Sequence, residues 1–578
     1  MSAELIAGQI PTPQFESNPG QKNTLIDLQI PDYAHYYADF DVANIADMLS
    51  GDLETGINAC VECCDRHAIL NPDRIALFHE SKDGIGTRYT FAELKNLSAK
   101  FANYLTQQGI QPGDRVAGLL PRTPELLITI LGTWRAGAVY QPLFTAFGSK
   151  SIEHRVNTSE ARLIVTDSVN RPKLDDIANC PPVMTFSDEK GSGIDAGDDN
   201  FWEALDRQSI EFSPVMRSGN DAFMMMFTSG TTGPAKGVVV PLRAMLSFYV
   251  YTRYAVDLRP EDAFWNIADP GWAYGLYYCV TGPLLMGHAI TLYDGPFTVE
   301  SCYRVIQKYG ITNLTGAPTA YRMLIATGEA AAASAKGQLR VVSSAGEPLN
   351  PEVIRWFREH LDVPIYDHYG QTETGMVLCN HHALSHIFHP GSAGAAMPGY
   401  RLAVLDDDGM ELPVGEPGVL AVDRGRSPLF WFEGYWQQKT TAWSGDYYCT
   451  GDTVQNNADG SISFVGRDDD IITSAGYRIG PFDVESALLE HAAVMEAAVV
   501  GKPDPERTEL VKAFVVLRSG YDASEALAAE LQQYVKTRLA AHSYPREITF
   551  LDALPKTPSG KLQRFILRNQ EIEKARKE

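Results

Sequence analysis

The chain has 578 residues, 44% of them hydrophobic, more than one compact core can use, which predicts a large domain with at least one smaller companion. Its 72 acidic residues against 49 basic ones leave a formal charge of −23, which excludes a chain built to coat nucleic acid or an anionic membrane. Small anionic ligands must then be met by locally placed cations.

The opening stretch MSAELIAGQIPTPQFESNPGQ lacks a basic segment followed by an apolar one, so no secretory signal is expected. Residues 1–35, rich in Pro, Asn and Gln and without periodicity, read as an extended arm. Of eight cysteines only Cys60, Cys63 and Cys64 cluster, and no second CxxC lies at zinc-site spacing, so reduced, packed thiols are expected. From Phe91 the pattern alternates: a helix through FAELKNLSAKFANYL, a strand RVAGLL, a helix opened by Thr123-Pro124, a strand LIVTD. That alternation predicts a parallel sheet covered by helices. The apolar run 126–140 is broken by Arg135 and too short to span a bilayer, which leaves a buried helix and an expected cytoplasmic location.

After Asp221 the alternation resumes with AFMMMF, ITNLTGAP, LRVVSSAGEP and VPIYDHYGQTETG, each ending in a polar, glycine-containing turn. Open α/β sheets bind ligands beyond such strand ends. His381, His382, His386 and His389 have a spacing that suits a transition metal, but without Cys or carboxylate partners they read as a solvent-facing loop. From about Gly391 short strands and turns predict an antiparallel β subdomain. A boundary falls in the acidic turn at 466–470, giving a large domain 36–467 and a small domain 468–578 with helix, two strands, helix and a lysine-rich end.

The run Phe227-Thr-Ser-Gly-Thr-Thr-Gly-Pro-Ala-Lys-Gly237 has the makings of a phosphate grip: backbone N–H groups in a glycine turn, hydroxyls, one lysine. It is not a Walker A loop, which would need Gly in place of Ala235 and Ser or Thr in place of Gly237. It resembles the phosphate loop of the adenylate-forming enzymes: acyl-CoA synthetases, luciferases and nonribosomal-peptide adenylation domains. Further signatures follow in that superfamily's order: SAGEP at 344–348, YDHYGQTETG at 366–375, YCTGD at 448–452, GRDDDIITSAGYRIGPFDVES at 466–486 and LPKTPSGKLQR at 554–564. The resemblance is strongest to the medium-chain acyl-CoA synthetases. It implies an α/β protein, with a large N-terminal domain of two covered, mostly parallel sheets plus a β-barrel-like subdomain, and a small, mobile α+β C-terminal domain.

The implied chemistry is coherent. A carboxylate has a very poor leaving group, so it first attacks the α-phosphate of ATP to give acyl-AMP and pyrophosphate, a step catalysed by positioning and by cations. The resemblance makes Lys561 the central cation and Glu373 the ligand of Mg²⁺, with the hydroxyl of Thr228 beside the metal. Thr228, Ser229, Gly230, Thr231, Thr232, Gly233 and Lys236 would hold the phosphates, Asp452 both ribose hydroxyls, and Arg467 ribose or phosphate. Gly346, Glu347 and Pro348 with Asp367, His368, Tyr369, Gly370, Gln371 and Thr372 would form the adenine side, Tyr369 stacking on the base. Tyr369 taken alone also suits core packing, and Thr372 a helix N-cap.

CoA would then meet Ala475, Gly476, Tyr477 and Arg478 after rotation of the small domain about Asp469, with Arg546 a weaker phosphate contact that a surface ion pair explains equally well. In acetyl-CoA synthetases the position of Gly370 is a tryptophan that caps the acyl pocket, so Gly370 implies a deeper one and Trp272 another wall. Both residues have plainer readings, a turn glycine and a structural tryptophan. The expected activity is an AMP-forming ligase joining a short- to medium-chain fatty acid, straight or branched, to CoA. An aryl-acid ligase and a degenerate, nucleotide-binding member are the alternatives, and a carrier protein is not the expected acceptor. The lysine motif also resembles sites of reversible acetylation, implying a lysine acetyltransferase and deacetylase as partners at Lys561.

Overall fold

A computed structural model describes residues 31–187, 195, 197–228, 234–326, 329–467, 470–474, 477–504, 507–539, 543–556 and 562–576, with backbone alone at 326, 329, 330, 477 and 478. The helix Phe91–Gln107 starts where the sequence reading put it, because Thr90 and Glu93 form a reciprocal capping box, and it buries Leu94, Phe101 and Leu105 on one face. Pro124–Arg135 is buried along its whole length. Arg135 is tolerated there because its guanidinium pairs bidentately with the buried carboxylate of Asp65.

One seven-stranded sheet runs in the order Asp199–Asn200, Val183–Phe186, Leu163–Asp167, Arg115–Leu119, Val139–Pro142, Ala222–Phe227, Gly237–Pro241. All its neighbours are parallel except the last pair, which brackets the phosphate-loop sequence. A second parallel set comprises Phe264–Asn266, Asn313–Gly316, Val341–Ala345 and Ile365–Gln371. Sequence separates this set from the antiparallel subdomain, whereas the structure joins them. Ile365–Gln371 pairs antiparallel with Gly375–Cys379, and the ladder continues through Ser392–Ala396, Ile462–Arg467, Tyr447–Asn456, Pro417–Asp423 and Leu402–Leu405 within one eleven-stranded sheet.

The C-terminal sheet is built on the long pair Val494–Asp504 and Thr508–Leu517. Alternation puts Val499 and Ala513 against the helices Pro481–Leu489 and Glu525–Arg538, through Leu488, Leu531 and Val535, and turns Ala498, Val500 and Phe514 toward Leu567 of the helix Arg564–Ala575. Two helical layers thus enclose it.

Two sequence expectations change here. The arm expected to run extended to residue 35 becomes helical at Tyr33–Ala38, capped by Asp32. Tyr33 donates from its backbone to Ser385 O at 3.0 Å and from its hydroxyl to Ala396 O at 2.9 Å. That docking covers the histidine loop: His381 is buried and stacks on Tyr33 at 5.3 Å, and His382 stacks on Tyr366 at 4.2 Å, so neither faces solvent; His389 does. Among the described residues no three His, Cys, Asp or Glu side chains are grouped to hold a metal, and no helix is long and apolar enough to cross a membrane. All eight cysteines are free thiols, with Cys60, Cys63 and Cys64 fully buried.

Candidate active site

A cleft of about 1190 Å³ lies between the ends of the large sheets and the C-terminal domain, and the sequence-selected segments converge on it. Thr228, Lys236, Gly346 to Pro348, Asp367 to Glu373, Asp452 and Arg467 all line it. Ser229, Gly230, Thr231, Thr232 and Gly233 fall outside the described residues, but the feet of their loop are fixed. Thr228 N donates to Lys236 O at 3.0 Å, Lys236 N to Thr228 Oγ1 at 3.3 Å, and His154 Nε2 to Ala235 O at 2.9 Å. The Lys236 ammonium lies 4.8 Å from the centroid of the Tyr435 ring.

Glu373 sits in the turn between Ile365–Gln371 and Gly375–Cys379, only 8% exposed. Burial pushes its carboxyl pKa up, opposed by the hydrogen bond from Tyr435 Oη to Oε1, at 2.8 Å, and by the charges of Arg467 and Lys236. Thr372 caps no helix, contrary to one reading of the sequence: a strand follows, and its carbonyl accepts from Tyr277 Oη at 3.1 Å.

Asp452 Oδ2 accepts from Tyr369 Oη at 2.5 Å and from Gln371 Nε2 at 2.9 Å, with Arg467 Nη1 3.6 Å from Oδ1. The Gln371 amide is oriented by its own contacts, donating to Thr450 O and accepting from Tyr448 Oη at 3.2 Å. Gly346 takes φ +99°, a left-handed turn that glycine adopts without strain, and beside it Glu347 accepts from Arg322 at 3.0 Å. Asp367 Oδ2 accepts from Leu349 N at 3.0 Å while Oδ1 is buried, and burial pushes the carboxyl pKa up to about 8. That shift favours the neutral carboxyl at neutral pH. His368 Nε2 donates to Asn380 O at 3.0 Å, leaving Nδ1 to accept from Tyr251 Oη at 2.8 Å; burial drops its pKa to about 3, so the ring is neutral.

Two acyl-pocket expectations are corrected. A Cβ on Gly370 would lie 2.2 Å from Gly375 O and 2.7 Å from Met376 Cα, so main chain fills the space that the missing side chain leaves. The glycine answers to a register shift between Tyr369 and Gly370 in the hairpin. Trp272 packs on Phe144 and Phe147, with ring centroids 5.2 and 5.3 Å away, in a satellite core outside the cleft lining.

Lys561, Asp469, Ala475 and Gly476 lie outside the described residues, as do the side chains of Tyr477 and Arg478, whose backbone forms the edge strand Tyr477–Ile479. Arg546 is exposed, off the cleft, donating to Tyr544 Oη at 3.0 Å. The loop carrying Lys561 is pinned at both feet, and both feet line the cleft. Lys556 and Leu562 form an antiparallel bridge, Lys556 pairs with Glu496 at 2.6 Å, and Arg564 pairs with Glu485 at 2.8 and 2.6 Å. Sequence reasoning missed Tyr435 and the Arg564–Glu485 pair. Arg564 stands inside the quoted lysine motif, whereas Tyr435 is marked only by the preceding glycine.

Residues 64–436 match the family described as AMP-binding enzyme, and residues 483–561 match the AMP-binding enzyme C-terminal domain. The chain belongs to the AMP-binding enzyme family. This AMP-binding enzyme is 38% identical to acetyl-coenzyme A synthetase of Bacillus subtilis over 94% of its length and 96% of that protein's. It is likewise 38% identical to the mitochondrial acyl-coenzyme A synthetase ACSM4 of Rattus norvegicus, over 86% of this chain and 87% of that one. Among solved structures, Brucella canis acyl-CoA synthetase is 59% identical with a TM-score of 0.77, covering 94% of this chain and 100% of that one. The benzoate CoA ligase of Burkholderia xenovorans is 27% identical with a TM-score of 0.78, covering 89% of this chain and 100% of that one. The AMP-binding enzyme is thus an AMP-forming acyl-CoA synthetase, using ATP, CoA and Mg²⁺. Its donor set fits the metal: one buried carboxylate, Glu373, and the hydroxyl of Thr228 suit an ion that takes its remaining ligands from phosphate and water.

Proposed function

We propose that this synthetase activates a short- to medium-chain fatty acid, straight or branched, as its acyl-AMP and transfers the acyl group to CoA. Residues 36–467 bind ATP and the acid, and residues 468–578 carry Lys561. The observation that supports this most directly is the content of one cleft, lined by Lys236, Glu373 and Asp452 together with both feet of the Lys561 loop.

In this reading Asp452, oriented by Tyr369 and Gln371, accepts the ribose hydroxyls, and the protonated Asp367 donates on the base side. Lys236 and the phosphate loop hold the outgoing pyrophosphate. Mg²⁺, held by Glu373 and Thr228, would neutralise charge shared between phosphate oxygens. Lys561 bridges the acid's carboxylate and the α-phosphate, placing the nucleophile in line and stabilising the charge that develops on the phosphoryl oxygens. Rotation about Asp469 then withdraws Lys561 and turns the Tyr477–Ile479 strand edge, with Ala475 and Gly476, toward the adenylate for CoA.

An acid longer than acetate is supported by the resemblance of the motifs to those of the medium-chain acyl-CoA synthetases, and each further buried methylene adds about 0.8 kcal/mol. The likeness to a benzoate CoA ligase sustains the aryl-acid reading. Pyrophosphate release, measured with CoA across acetate, butyrate to octanoate, branched acids and benzoate, separates the two. Highest kcat/KM on a butyrate-to-octanoate acid is expected; preference for benzoate overturns the aliphatic assignment.

A further inference from the structure

Between the phosphate loop and the carboxylate assigned to the metal stands one side chain that touches both. Tyr435 lines the cleft, donates its hydroxyl proton to Glu373 Oε1 at 2.8 Å, and presents its ring face to the Lys236 ammonium at 4.8 Å. Its backbone is tied to the strand leaving the phosphate loop: Val238 and Tyr435 form an antiparallel bridge, and Trp436 N donates to Gly237 O at 2.8 Å. The close approach depends on Gly237, where a Cβ would come within 3.2 Å of Trp436 Cβ.

We infer that Tyr435 is a positioning residue that couples the phosphate loop to the metal site, its hydroxyl aiming the Glu373 carboxylate and its ring holding Lys236 in reach of the pyrophosphate end of ATP. The two interactions draw on different parts of one side chain and are separable. The hydroxyl leaves one Glu373 oxygen engaged and the group fixed in orientation, which favours single-oxygen coordination to an ion already carrying phosphates. The ring is an electrostatic rest for the Lys236 ammonium.

The inference rests on the assignment of Glu373 to Mg²⁺, and its test separates the two. ATP binding is measured by calorimetry without acid or CoA, once with Mg²⁺ and once in EDTA, for wild type, Tyr435→Phe, Tyr435→Leu and Glu373→Gln. Tyr435→Phe keeps the ring and loses the hydroxyl, so the gain in ATP affinity on adding Mg²⁺ should shrink roughly ten-fold. Tyr435→Leu should in addition weaken binding severalfold in EDTA, where only Lys236 is affected. A Tyr435→Phe protein with an unaltered Mg²⁺ gain, or with equal losses in both conditions, overturns the inference, provided that Glu373→Gln abolishes the gain. Should Glu373→Gln keep the gain, the metal assignment falls first and takes the role of Tyr435 with it.

Discussion

Tyr369 donates its hydroxyl proton to Asp452 across 2.5 Å, on the same Oδ2 that accepts from Gln371. A carboxylate held by two donors presents its remaining lone pairs in a fixed direction, which a two-hydroxyl ligand such as ribose requires. Tyr369→Phe removes a charge-assisted hydrogen bond worth about 1.5 to 3 kcal/mol in comparable settings. Steady-state kinetics should show the KM for ATP rising about ten-fold or more, with a smaller change in the KM for the acid.

Lys561 should divide the two half reactions. Lys561→Ala is expected to lower acyl-AMP formation by about three orders of magnitude, as read by pyrophosphate exchange, while thioester formation from preformed acyl-AMP is largely spared. Enzymatic acetylation of Lys561 removes the same charge and should reproduce the same split. Equal loss of both half reactions would contradict the assignment.

The hairpin explanation for Gly370 makes a stability prediction. Alanine there forces a Cβ to within 2.2 Å of a backbone oxygen, so Gly370→Ala should cost about 1 to 3 kcal/mol of stability, measured by urea unfolding. A merely narrowed acyl pocket would leave stability unchanged and shift only the chain-length profile.

Asp367 and His368 give a pH test. The folded Asp367 pKa of about 8 lies above its ordinary 3.8, so its contribution is fully present at low pH and is lost as pH rises through about 8. His368, lowered from 6.5 to about 3, contributes above 6.5 and loses that contribution only as pH falls. Between pH 6.5 and 8 the Asp367 effect is therefore separated from that of His368, at no more than about 1.4 kcal/mol per pH unit. Chemical denaturation should show wild-type stability declining across that window and Asp367→Asn declining less.

Arg564→Ala should strip a buried partner from Glu485, which is only 5% exposed. Uncompensated buried charges cost about 3 to 5 kcal/mol, so the C-terminal domain should melt earlier in calorimetry, and pyrophosphate exchange should fall more than thioester formation from acyl-AMP.

Sequence showed most where function is local. Asp367 to Glu373 share one strand and its turn, so a contiguous motif delivers a contiguous wall of the cleft. Strand–helix alternation likewise foretold the parallel sheets, because it follows from burial on both faces. What stayed hidden depends on partners distant in the chain. Tyr435 reaches Glu373 across 62 positions and Arg564 reaches Glu485 across 79, and no periodicity encodes such meetings. His381 looked exposed because its cover, Tyr33, comes from the N-terminal arm, far earlier in the chain. Gly370 was read as space because the backbone that fills it arrives only after the chain reverses.

The eleven-stranded sheet has one more implication. Ile365–Gln371 and Tyr447–Asn456 stand four ladder steps apart, which on a flat surface would hold them about 19 Å from one another. Tyr369 and Asp452 nevertheless touch. The sheet must curl between them like a leaf, with that hydrogen bond as the clasp joining two of its inner strands. A nucleotide lying along that seam would rest on both strands at once, so filling the pocket and holding the curl shut become one event.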